Sequence, residues 1–202
     1  MPHEFLASLP AEQQLALEAA YATPARAYHN VRHVGEVLRH FDAATQEAGF
    51  EREAEARLAV LYHDAIYEPG RADNEARSAG LAREHLQRWP QPGVDSGRVE
   101  ELILLTARHG RLQPGEVDRD AAQFLDCDMA ILGSDPDTFS AYDRAIAAEY
   151  RGEVPAWLYK LNRRRFLKGL LGRERIFLSD WGHARFDAQA RINLRRAVTH
   201  KQ

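Results

Sequence analysis

Residues 53–66 read EAEARLAVLYHDAI, and this stretch decides the fold. Apolar side chains run almost all the way round its helical wheel, as they do in a helix buried at the middle of a bundle. Its C-terminal end carries His63 and Asp64 between Leu61 and Ile66. Desolvating an unpaired charge there costs several kcal/mol, so this pair needs compensation. Adjacent helical residues point about 100° apart, and both reach one ion only if it lies in the groove between this helix and its neighbours. The alternative is that Asp64 caps or forms a salt bridge while His63 is a core histidine with satisfied ring nitrogens.

On either side of this stretch the spacing predicts further helices. Upstream, Leu15, Leu17, Ala19 and Ala20 follow a helical pattern from Pro10 to Ala22, with Ser8 as cap and Pro24 as breaker. A longer helix is expected from about Asn30 through Phe41, where Val31, Val34, Val37, Leu38 and Phe41 form one apolar stripe. Downstream come helices over about 74–88, 96–109, 136–150 and 155–171, and a last one over FDAQARINLRRAV. Pro69-Gly70, WPQPG and Pro114-Gly115 mark the turns between them. No strand-like alternation with hairpin turns, internal repeat or low-complexity tract interrupts the series. The expected fold is all-α, a single domain over 1–202 with its core at about 25–150 and C-terminal helices at about 155–200 packed on it.

Two other apolar segments carry unexplained polar groups. His29 and His33 in YHNVRH are four apart; if the helix already runs there, both imidazoles project from one face. Surface or capping histidines are the alternative. Asp126 and Asp128 lie in FLDCDMAILG, where buried acids are expensive unless paired or metal-bound; an N-cap role for one of them, Asp126 above all, is the alternative. A shared divalent cation removes the cost in all three segments at once.

Composition narrows the function. The chain has 202 residues, a formal net charge of −3, 45% hydrophobic and 28% charged residues and one cysteine. An ordinary folded protein is indicated. The acidic balance argues against a nucleic-acid partner, which requires a basic field. Cys127 alone cannot form an internal disulfide. Neither a signal peptide nor a run of about 20 apolar residues is evident, so no membrane association is expected and cytoplasmic localisation is the default.

The H…HD…D pattern of His33, His63-Asp64 and Asp128 resembles the HD superfamily of metal-dependent phosphohydrolases. RAYHNVRH, AVLYHDAIYE, DNEARSA, LLTARH, FLDCDMAILG and YKLNRRRFL resemble its predicted phosphohydrolase family of about this length, over nearly the whole chain. The resemblance implies an HD-domain-like helical bundle with His33, His63, Asp64 and Asp128 as metal ligands. Asp128 is preferred to Asp126 because CDMA better fits the superfamily's last-ligand pattern. By likeness to cyclic-nucleotide phosphodiesterases of the superfamily, His29 is the candidate general acid. Asp64 would orient the attacking water.

A mixed nitrogen and carboxylate set suits Mn²⁺, Fe²⁺, Co²⁺, Ni²⁺ or Zn²⁺ better than Ca²⁺, with Mg²⁺ as a further candidate. Asp73 is expected to cap the helix from Asn74. Glu75 either complements that helix dipole or orients the nucleophile. His109 is a C-terminal dipole partner, a substrate contact or an extra ligand; a single ion is favoured. Lys160–Lys168 holds five cations in nine residues, and Arg163, Arg164 and Lys168 are candidates for phosphate recognition if their helix folds over the site.

The expected reaction is hydrolysis of a phosphate ester or anhydride of a small metabolite, with a nucleotide as leading substrate class by analogy. Two other readings stand beside it. One is a di-iron oxygenase, for which His85 and His109 would have to supply extra ligands. The other is a non-catalytic, metal-stabilised binding module. The C-terminal helices suit a homodimer interface or a substrate lid equally.

Overall fold

The computed structural model describes Leu6 and residues 9–22 and 26–199. Among these, nine α-helices follow in order: α1 (Ala11–Ala22), α2 (Val31–Glu47), α3 (Glu53–Tyr62), α4 (Asn74–Arg88), α5 (Ser96–Thr106), α6 (Arg119–Met129), α7 (Pro136–Glu149), α8 (Ala156–Leu171) and α9 (Asp180–Thr199). A 3₁₀ turn, Ala130–Gly133, continues α6. No strand occurs among the described residues, and the fold is all-α as expected. Ser8 and Pro24 lie outside the described residues.

Caps set most of the boundaries. Asn30 opens α2 by accepting from the Arg32 N–H, and Asp95, Asp118 and Asp135 do the same for α5, α6 and α7. Pro136 follows at the start of α7, where its missing N–H costs nothing. Asp73 holds the cap position of α4 but makes no capping hydrogen bond. Its carboxylate is taken by Arg71, which donates to both oxygens at 2.8 and 2.7 Å. In α1 the buried face is Gln13, Leu17 and Tyr21, while Leu15 is 67% exposed. Gln13 and Tyr21 are drawn inward by hydrogen bonds to the Tyr62 hydroxyl and the Leu61 carbonyl.

The α3 helix is shorter than its apolar run. It stops at Tyr62, His63 forms its cap, and Asp64 lies in the turn beyond. Tertiary hydrogen bonds capture the next carbonyls: Arg26 donates to Asp64 O and Ala65 O, and Ser78 Oγ bonds both the N–H and the carbonyl of Ile66. The backbone groups that would extend the helix are thus satisfied elsewhere.

The hydrophobic interior divides in two. The first cluster gathers α1 to α6 around Phe41, Leu61, Leu102 and Phe124 and reaches Cys127. The second begins at Met129 and gathers Phe139, Leu167, Leu170, Phe177, Phe186 and Leu194. Asp128 stands at the seam. Trp181 packs against both clusters.

Asp126 fastens that seam. Its carboxylate accepts from the backbone N–H groups of Leu178 and Ser179 at 2.7 Å each and from Ser179 Oγ at 2.6 Å. Ser179 Oγ in turn accepts from Gly182 N and so opens α9. A side chain at Gly182 would collide with Asp126. Burial pushes the Asp126 carboxyl up to about 6, against the lowering effect of its three donors. Asp126→Ala is expected to cost about 2–3 kcal/mol, seen as a lower urea midpoint at unchanged slope. A change within about 0.5 kcal/mol, as at an ordinary surface position, would show that this joint contributes little.

Candidate metal centre

Three helices converge on one point at the seam. His33 projects from the first turn of α2, His63 from the cap of α3 with Asp64 just beyond, and Asp128 from the last turn of α6. His33 and His63 are buried, with their Nε2 atoms 3.2 Å apart. Asp64 Oδ2 lies 3.1 Å from His63 Nε2 and 3.5 Å from His33 Nε2. Asp128 Oδ1 lies 3.2 Å from His33 Nε2 and 3.4 Å from His63 Nε2. His33, His63 and Asp64 form a cluster able to hold a metal ion.

The donor chemistry fits a cation. His63 Nδ1 is 2.9 Å from the Val60 carbonyl, so Nδ1 carries the proton and donates, and Nε2 turns its lone pair to the cluster. This backbone bond fixes tautomer and ring orientation in the manner common to metal-ligating histidines. Ligands bonded at about 2.0–2.2 Å stand roughly 2.8–3.6 Å apart in octahedral or tetrahedral geometry, and the separations here fall in that range. Electrostatics agree. Burial alone would lower both histidines, yet the Asp64 and Asp128 carboxylates hold His33 above its ordinary value and His63 well above it. Burial would likewise raise both acids, but the histidines hold Asp64 and Asp128 well below the usual carboxylate range. The cluster demands positive charge.

His29 sits beside this group but not on the helix. It precedes the Asn30 cap, so the helical one-face geometry expected for His29 and His33 does not apply. The two rings still approach, with centroids 6.0 Å apart, because a different residue holds His29. Glu149, in the last turn of α7, accepts from His29 Nδ1 at 2.6 Å through Oε2 and from the Tyr28 and His29 N–H groups through Oε1. Tyr67 stacks on the His29 ring at 3.9 Å. Burial pushes the Glu149 carboxyl up, but the bonds from His29 and the backbone outweigh it and lower its pKa.

Glu149 was not among the residues singled out by sequence. Its signal was present: Phe139, Tyr142, Ile146 and Glu149 share one helical stripe, so the carboxylate follows the inward-facing register. Arg26 is the other omission. It donates to the carbonyls of Ala20, His29, Asp64 and Ala65 and ties the backbone before α2 to the turn after α3.

A cavity of about 190 Å³ adjoins the centre at Asp128, and His29, Tyr67, His109, Tyr142 and Arg163 are among its other lining residues. His109 Nδ1 is 3.4 Å from Asp128 Oδ2, buried and without a hydrogen bond. Arg163 is set from α8 by Asp143, whose Oδ1 accepts from Nε at 3.0 Å, and by the Tyr142 and Phe166 rings. Its Nη2 is 2.9 Å from the same oxygen, without hydrogen-bond alignment. Arg164 and Lys168 are exposed and line a separate groove. Glu75, in the first turn of α4, makes no hydrogen bond or ion pair with the centre. His85 is distant in kind: its Nδ1 meets the Tyr62 hydroxyl at 3.0 Å.

Compared with family models, with curated proteins and with solved structures, the chain finds no match in any of the three. No helix among the described residues is long and apolar enough to cross a membrane.

Metal binding should stabilise the fold, because an ion held only by the native state adds RT ln(1 + [L]/Kd), about 2.7 kcal/mol at a hundredfold excess over Kd. Mn²⁺ or Zn²⁺ added to metal-stripped protein is expected to raise Tm by several degrees, and His33→Ala or Asp64→Ala to abolish the rise. An equal rise in those variants would place the ion elsewhere.

Proposed function

We propose that this chain is a metal-dependent phosphohydrolase of the HD type, cleaving a phosphate ester or anhydride of a small metabolite, with a nucleotide as leading substrate class. One observation carries the reading: Asp128, which adjoins His33 and His63 of the metal-ready group, lines the same cavity as the carboxylate-held His29 and the half-buried Arg163. His33, His63, Asp64 and Asp128 are the residues that would hold the ion. A divalent ion there supplies Lewis acidity toward a phosphoryl oxygen and activates water.

The chain's own residues account for the rest. Glu149 fixes the His29 ring through Nδ1, which leaves Nε2 as the group to give a proton to the leaving oxygen. Arg163, kept cationic by its aromatic and carboxylate neighbours, presents the planar fork that suits phosphoryl oxygens. Tyr67 stays protonated because burial raises its pKa, and its ring restricts His29 to one orientation. Enclosed sites for drug-sized ligands run to about 300–1,000 Å³. The smaller cavity here suits a phosphoryl group and its nearest atoms, with the remainder of a nucleotide outside.

A second reading has one observation in its favour. His109 stands beside Asp128 with an unbonded nitrogen, where an oxygenase with two irons would need an added ligand. His85, its other required histidine, is engaged with Tyr62.

The test is a phosphate-release screen over nucleoside mono-, di- and triphosphates, cyclic nucleotides and simple phosphoesters, using metal-stripped protein resupplied with Mn²⁺, Co²⁺, Ni²⁺, Mg²⁺ or Zn²⁺. Release that depends on metal and disappears in Asp64→Ala is the expected result. His29→Ala is expected to lower kcat by about 10²–10⁴, the usual worth of a general acid, with Glu149→Gln following in the same direction. No release on any substrate, together with about two irons per chain and oxygen consumption, would select the oxygenase.

A further inference from the structure

An opening that the hydrolytic reading leaves unused is a groove of about 780 Å³ between α8 and the end of α9. Its volume is that of a small-molecule site. Lys160, Arg164 and Lys168 line it at i, i+4 and i+8 of α8, a register that sets three cations along one edge over roughly 12 Å. The rest of the lining is largely apolar: Leu167 of α8, 2% exposed, with Ala197 and Val198 of α9 across from it. Tyr159 adds an aromatic wall.

Acidic residues are scarce along this edge of the groove. From residue 156 to residue 173 the sequence contains no Asp or Glu. Asp143 is the one carboxylate in the lining, and it holds Arg163. Among the described residues, Arg164 and Lys168 form no ion pair, in contrast to Arg57, Arg71, Arg83 and Arg185, which all face carboxylates. An adjoining hollow of about 350 Å³ shares Asp143 and Ala197 with the groove and brings Arg144 and Arg196 to its rim, again without ion pairs. A protein of net charge −3 thus gathers cations in one concave place, with Arg164 and Lys168 among them outside any ion pair of the described residues.

We propose that this groove is a second binding site, for an organic anion bearing two or more phosphates beside a ring or apolar body. A single phosphate cannot span cations spread along two turns of helix, whereas a di- or triphosphate offers charges in a row. The apolar floor and Tyr159 give the uncharged part of such a ligand its own contacts. The site is separate from the cavity over the metal centre except at Arg163, which lines both. It does not depend on the hydrolytic reading.

Calorimetric titration of the full chain with α,β-methylene-ADP, with orthophosphate alongside, tests the site. The diphosphate is expected to bind, orthophosphate to bind at least about tenfold more weakly, and added salt to weaken both. Arg164→Glu with Lys168→Glu is expected to reduce diphosphate affinity at least about tenfold, with the same Tm and metal content as the parent. Asp64→Ala is expected to retain the binding. The same charge change on α4, Arg83→Glu with Arg88→Glu, is a control expected to leave it within about twofold, since screening limits distant charges. Binding lost in Asp64→Ala but kept in the α8 variant would overturn the proposal, as would equal loss in the α4 control or no binding at all.

Discussion

Four metal-donor side chains gathered at one point set the terms for this protein. Two imidazole nitrogens and two carboxylate oxygens approach within 3.1–3.5 Å in five pairs, and no hydrogen-bond pattern among neutral imidazoles and ionised carboxylates satisfies them all. A cation does. With protons alone, the two carboxylates favour protonated histidines and raise the pKa of both, against the lowering effect of burial. Breaking such a buried set by removing one member leaves the others uncompensated, at about 3–5 kcal/mol. This is why the group belongs at the junction of two hydrophobic clusters rather than within either. Cys127 and Met129 can each enter a core while Asp128 between them faces the centre.

Backbone tethers make the convergence rigid. Arg26 spends its guanidinium on four carbonyls, which stops α3 before Asp64 and anchors the segment entering α2. Asp126 binds the start of α9 from the other side of α6. The two aspartates of FLDCDM therefore face opposite ways, one to the centre and one to the 178–179 turn. Side chains carried on helix ends and held by such neighbours keep a geometry that a loop would not.

Much of this was legible in the amino-acid order. Stripe spacing and cap residues placed the helices, and α4 in particular matches its expected span, because local rules and packing agree there. The metal-ready residues were legible because His and Asp in apolar surroundings require an explanation. Other features were not. The end of α3 depends on Arg26 and Ser78, which are distant in sequence, and the His29–Glu149 pair spans 120 positions. Leu15 fitted the apolar pattern but faces outward, since α1 buries Gln13 and Tyr21 for their hydrogen bonds to α3. The basic run of α8 divides between a half-buried Arg163 and an exposed Arg164 and Lys168, a distinction set by Asp143 and the Tyr142 and Phe166 rings, which are distant in sequence or invisible in the charge pattern.

The most direct measurement is anomalous diffraction from crystals of the protein loaded with Mn²⁺. The account predicts an anomalous peak within about 2.0–2.3 Å of His33 Nε2, His63 Nε2, Asp64 Oδ2 and Asp128 Oδ1, the range of bonds to such ions. A peak elsewhere, or no peak while the two histidines form charged pairs with the aspartates, would contradict it.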